Sequence, residues 1–145
     1  MLVFSSCSTT DDDTWTESRD ALIGTWEGKA TFVKTNLTTN KDTTGTRQIK
    51  VRFLNKEDVI ISQVLFFGLE NNFDFKWTYK PDPESIDIVS ESPLLLINLP
   101  KSFKVIKKEN KTQTWVGEYL HREPSVDFSI WTEYKTTETW ELTKQ

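Results

Sequence analysis

Beyond Asp20, apolar and polar residues alternate with a period of two along most of the chain. Leu22, Gly24, Trp26, Gly28, Ala30 and Phe32 share one parity, with Thr25, Glu27, Lys29 and Thr31 on the other. Successive residues of a strand point to opposite faces of a sheet, so this spacing predicts a half-buried strand over Leu22–Lys34. The same reading applies to Thr46–Leu54, where Ile49, Val51 and Phe53 oppose Gln48, Lys50 and Arg52. Phe73, Phe75, Trp77 and Tyr79 oppose Asp74, Lys76 and Thr78, and a short strand over Ser85–Ser90 turns Ile86 and Ile88 inward. Ser102–Lys108 and Gln113–Leu120 form a hairpin around residues 109–112, with Trp115, Gly117 and Tyr119 on one face of its second arm. Val126, Phe128 and Ile130 alternate with Asp127 and Ser129, and in Thr136–Lys144 the residues Glu138, Trp140 and Leu142 share a face. Two segments are ambiguous. Val59–Phe67 is almost continuously apolar, and Leu94–Ile97, framed by Pro93 and Pro100, is either a short buried strand or an apolar lid.

Polar and turn-forming stretches separate these segments: Asn36–Gly45, Asn55–Asp58, Gly68–Asn72 and the strand-breaking Pro81-Asp82-Pro83. No stretch carries a helical period for more than a turn or two. Strands at intervals of about 8–12 residues with short connections predict an all-β domain, an antiparallel up-and-down barrel of eight or nine strands. Closure removes the edge strands that invite aggregation. A barrel of that size is either filled by its own side chains or leaves room for one small ligand.

Composition sharpens this picture. Of 145 residues, 36% are apolar, a small core offset by 18 aromatic residues, and 20 threonines agree with strand-rich structure. The net charge of −4 argues against nucleic acid as a partner. One cysteine and one histidine exclude a disulfide framework and Cys/His zinc sites. His121 sits beside Arg122 and Pro124 with no nucleophile elbow elsewhere, and reads as a rim histidine. Glu57, Asp58, Asp82 and Glu84 fall in turns without the spacing of a calcium loop. The lysines between Lys101 and Lys111 read as a solvated face. No catalytic constellation, metal set or cofactor motif emerges, so the expectation is a non-enzymatic protein.

The N-terminal residues Leu2-Val3-Phe4-Ser5-Ser6-Cys7 place two small residues directly before the lone cysteine. This resembles the lipobox of bacterial lipoproteins, in which the signal is cleaved and the cysteine acylated. Ser8 to Asp13, ending in three acids, is similar to the export signal of Bacteroidota surface lipoproteins. Only six residues precede Cys7 and none is basic, so a complete signal implies a start further upstream. The resemblance implies lipidation at Cys7, with the membrane as partner through the anchor, and a surface-exposed place on a bacterial outer membrane. Residues 1–19 are then a signal remnant and polar tether, and residues 20–145 the barrel domain.

Gly24-Thr25-Trp26 resembles the Gly-x-Trp first strand of lipocalins and bacterial lipocalin-like domains, where the tryptophan sits at the closed end of the barrel. Thr139-Trp140-Glu141-Leu142 is similar to the last strand of small secreted relatives of that type. On this basis Phe53, Phe73, Phe75, Trp77, Trp115 and Tyr119 are the expected lining of a cavity for a small hydrophobic or aromatic ligand. Trp26 and Trp140 read instead as filling. The alternative is a filled barrel that acts through its surface on a protein partner.

Overall fold

The computed structural model describes residues 17–64, 69–90 and 98–145. Eight strands follow one another: β1 (Gly24–Asn36), β2 (Asp42–Phe53), β3 (Asp58–Val64), β4 (Glu70–Pro81), β5 (Glu84–Val89), β6 (Ser102–Lys108), β7 (Thr112–Pro124) and β8 (Trp131–Lys144). Each pairs antiparallel with its neighbour in the chain, and β8 returns to β1, closing an up-and-down barrel. The end where β1 begins is the base, and the end where β1 turns into β2 is the mouth.

Inward positions carry the predicted parity. Toward the base they are Trp26, Val51, Phe53, Val59, Trp77, Ile86, Phe103, Trp115, Trp140 and Leu142, all buried. Their rings pack edge to face or tilted, with centroids 4.5 Å apart for Phe53–Trp77 and 4.4 Å for Phe103–Trp140, and Trp115 touches Trp26, Phe53, Phe103 and Trp140. A buried indole N–H needs an acceptor. Trp26 Nε1 donates to the Leu22 carbonyl at 2.8 Å, Trp77 Nε1 to the Asn55 carbonyl at 2.8 Å, and Trp115 Nε1 to Gln113 Oε1 at 2.8 Å. A helical turn at residues 17–20 and the buried Leu22 close the base, where Lys144 Nζ donates to the Ala21 carbonyl at 2.8 Å.

The wall is uneven. β7 and β8 pair over thirteen positions, from Thr112↔Thr143 to Pro124↔Trp131, whereas β5 and β6 share three. Above β6 the chain before Ser102 completes the wall: Ile88 N donates to the Lys101 carbonyl at 2.8 Å, and Pro100 is buried against Gly117. A Cβ on Gly117 would lie 2.5 Å from Pro100 Cβ and 2.6 Å from the Ser102 carbonyl oxygen, so this approach requires glycine.

Three segments differ from the pattern-based expectation. Of Gly68–Asn72, expected as a turn, Glu70–Asn72 belong to β4 and pair with Ser62–Val64. Asn36–Gly45, expected as a loop, is mostly hairpin: only residues 37–41 turn, with Asn36 Oδ1 accepting from the backbone N–H groups of Thr38 and Thr39. Near the mouth the outer faces need no apolar residues, and threonine suits a strand without an alternating signal. Conversely, Val126, Phe128 and Ile130 alternate like a strand but form the β7–β8 turn. Asp127 Oδ1 accepts hydrogen bonds from Ser125 Oγ, Ser129 N and Ser129 Oγ, a local arrangement that displaces ladder pairing and leaves the three apolar side chains in solvent. The strands around it are accordingly longer than expected, with β7 running past Leu120 to Pro124 and β8 starting at Trp131. Cys7, Leu94–Ile97 and the end of the Val59–Phe67 run lie outside the described residues.

Candidate functional site

Along several strands the inward positions change from apolar to polar on the way to the mouth. β2 passes from Phe53, Val51 and Ile49 to Arg47, and β8 from Leu142 and Trp140 to Glu138 and Thr136. β7 passes from Trp115 and Gly117 to Tyr119, His121 and Glu123, while Lys34, Gln63 and Asn71 end the inward rows of β1, β3 and β4. Together with Phe32, Phe73 and Asn98 they line a cavity of about 400 Å³ at the mouth.

Its floor is an ion pair. Arg47 Nη2 donates to Glu138 Oε1 at 2.5 Å, and Trp140 Nε1 donates to the same oxygen at 3.1 Å. The Glu138 side chain is 0% exposed and that of Arg47 26%. The two belong to β2 and β8, which are separated by β1. In the register Ala30 lies between Arg47 and Trp140, and its single methyl leaves room for the guanidinium to reach across the strand. The rim holds a second pair, Lys34 Nζ on Glu123 Oε2 at 2.8 Å, with the ammonium 4.7 Å from the centroid of Tyr134.

Between floor and rim stand Tyr119 and His121. Burial, with the charge of Glu138 next in weight, pushes the Tyr119 phenol up to about 12, so it is a neutral hydrogen-bonding group. His121 Nε2 shares a hydrogen bond with Thr136 Oγ1 at 2.8 Å, and its ring stacks on Tyr134 at 5.6 Å. Among the described residues, Arg47 Nε, Arg52 Nε, Glu138 Oε2 and His121 Nδ1 are buried without a hydrogen-bond partner, and all but Arg52 lie at the mouth or its floor. Each such group costs about 1–3 kcal/mol of folding free energy. Three of them cluster at the mouth, where polar groups remain open to a further partner.

Burial also holds the His121 imidazole below its ordinary 6.5, with nearby Lys34 lowering it further and Glu123 opposing. A base depressed in the folded state takes up its proton more readily when unfolded. Its contribution to stability is therefore complete above about pH 6.5 and is lost as the pH falls toward the folded value. The urea midpoint is expected to drop on acidification through this window, and His121→Gln to flatten the drop. Equal slopes in both proteins would place the effect elsewhere. Asp127, held down to about 2 by Ser129 and Ser125, loses its contribution only below the ordinary carboxylate range.

Larger hollows lie on the outer wall, about 780 Å³ beside Lys101, Lys104 and Lys135 and about 680 Å³ beside Lys80, Asp87 and Lys101. These lysines are exposed, and neither hollow is lined by a fully buried carboxylate like Glu138 beneath the mouth. The chemistry of the molecule is concentrated at the mouth.

No family model matches the sequence, and no curated protein does. Among solved structures the chain is similar to a lipocalin-like protein from Bacteroides uniformis, at 14% identity over 86% of this chain and 98% of that one, with a TM-score of 0.47.

The structure separates the six aromatics named from sequence into two groups. Phe53, Phe75, Trp77 and Trp115 are buried in the filled lower barrel, while Phe73 and Tyr119 line the mouth cavity. The sequence reading did not single out Arg47, Thr136, Lys34, Gln63 or Asn71, and it noted Glu138 only as a neighbour of Trp140 and Leu142 on one face. One signal was present: Arg47 continues the parity of Ile49, Val51 and Phe53, as Glu138 continues that of Trp140 and Leu142. A charged residue in phase with a buried row is the mark of an internal polar site.

Proposed function

We propose that this chain is a binding protein that holds one small molecule in the mouth of its barrel, with no chemistry performed on it. The observation that carries the reading is the Arg47–Glu138 pair beneath a lined cavity of about 400 Å³, near the lower end of ordinary ligand sites. The packed lower barrel supports a ligand seated on Phe32, Phe73 and Tyr119 among polar groups rather than one enclosed by Trp77 and Trp115. Native mass spectrometry of freshly purified protein is expected to show a one-to-one adduct. Asn71→Trp, which places a ring at the exposed rim, is expected to remove it. A bare wild-type spectrum, or an adduct indifferent to Asn71→Trp, would sink the reading.

The proposal includes lipid anchoring at Cys7, supported by the Leu-Val-Phe-Ser-Ser-Cys context and the acidic run that follows. A clickable fatty acid is expected to label the protein expressed with its upstream start and not Cys7→Ser. Equal labelling of the two would remove the anchor from the proposal.

A second reading, docking on a protein partner, rests on the β7–β8 turn. Val126, Phe128, Ile130 and Trp131 are all exposed there. Ser125 N donates to the Ile130 carbonyl at 2.7 Å and Phe128 N to the Ser125 carbonyl at 2.9 Å, which closes the turn beneath these side chains. A barrel free of small molecules in the native spectrum would favour it.

A further inference from the structure

Resting on the reading of the mouth as a ligand site, we infer that its ligand is a small uncharged sugar, hydrogen-bonded by the polar ring and laid against Phe73. Charge balance supports the neutral class. The two cations of the cavity, Arg47 and Lys34, are already paired with Glu138 and Glu123. A charged ligand would leave water and find no unspent counter-charge.

The hydrogen-bonding inventory supports hydroxyl groups. Gln63, Asn71 and Asn98 each offer a donor and an acceptor, and they reach the cavity from β3, β4 and the segment before β6. Thr136 and the neutral Tyr119 line the same cavity from β8 and β7, with Thr136 Oγ1 already bonded to His121 Nε2. Groups that both donate and accept, arranged around the cavity rather than on one side, match a ring with hydroxyls along its whole edge. A flat heterocycle such as uracil bonds only in its plane and would need apolar walls above and below, whereas the described lining is mostly polar, with Phe32, Phe73, Tyr119 and the His121 ring as its aromatic members. An apolar ligand would use none of the three carboxamides, of which Asn71 and Asn98 are exposed and Gln63 half-buried. Phe73, with Phe32 and Tyr119, supplies aromatic surface for the C–H side of a pyranose.

The test uses the full chain with glucose, galactose, mannose, N-acetylglucosamine and their common disaccharides, followed by saturation-transfer NMR and calorimetry. Glucuronate, phenylacetate and uracil serve as comparators. At least one neutral sugar is expected to bind saturably at one site, with Gln63→Ala and Asn71→Ala each weakening it tenfold or more. Both replaced side chains face the cavity at its rim, so the variants are expected to fold, and Lys29→Ala on the outer wall is expected to bind like wild type. Glucuronate is expected to bind at least tenfold more weakly than glucose. Saturable binding of a comparator in preference to every sugar, abolished by Asn71→Trp, overturns the sugar and leaves the mouth as a ligand site. Sugar binding indifferent to Gln63→Ala and Asn71→Ala overturns the assignment to the mouth. Failure of every sugar to bind, whatever adduct native spectrometry shows, overturns this inference alone.

Discussion

Trp115→Ala is expected to lower the unfolding free energy by about 3–5 kcal/mol. The indole is fully buried and touches Trp26, Phe53, Phe103 and Trp140, so its loss opens a cavity bounded by four large rings held on four different strands. Those rings cannot all move inward without straining the closed hydrogen-bond ladder, which places the cost toward the upper part of the range. Gln113 Oε1 also loses the indole N–H at a buried position. With a urea dependence of about 2 kcal/mol per molar, the midpoint should fall by about 1.5–2.5 M. Trp131, exposed on the β7–β8 turn, is the control, and its replacement by alanine should change stability by no more than about 0.5 kcal/mol. If the two variants unfold together, the aromatic cluster is not the core of the barrel.

The second large effect concerns the floor of the mouth. Arg47→Met leaves the Glu138 carboxylate fully buried without its counter-charge, with Trp140 Nε1 still donating to it. Removing one partner of a buried pair costs about 3–5 kcal/mol, and the partial exposure of Arg47 puts this case near 3. Replacing both residues by methionine removes the stranded charge as well, and fills the space with apolar atoms in phase with the rows below. The double variant is therefore expected to be more stable than either single variant and close to wild type, a large coupling in a double-mutant cycle. Costs that simply add, or a single Arg47→Met costing less than about 1 kcal/mol, would show that the pair is solvated. Loss of the mouth ligand in a stable double variant would show that the pair is kept for binding rather than for stability.

Much of the barrel was legible in the chain because strand parity is a local property. The rows Trp26–Gly28–Ala30–Phe32 and Ile49–Val51–Phe53 point inward as their spacing requires. The misreadings occurred where a local hydrogen bond competes with the ladder. At Asp127 a side chain organises the turn, and no alternation of Val126, Phe128 and Ile130 reveals that. At Asn36–Gly45 the outer threonines hide a strand, since a solvated face needs no apolar residue.

The site was less legible, for a different reason. Parity says which way a side chain points but not how far along the barrel axis it lies, so Trp115 and Tyr119, two inward turns apart on β7, look alike in sequence. Their depth depends on the stagger between strands, which sets one at the packed base and the other in the mouth. The chain alone determined an all-β, up-and-down barrel with these faces turned inward, because alternation, turn residues and connection length are all encoded within a few residues of one another. Only the tertiary structure decided that the aromatics fill the lower half and that polar groups gather above them. The meeting of Arg47 with Glu138 depends on β8 closing against β1 and on the small Ala30 between them, contacts made across 91 residues that no local pattern records.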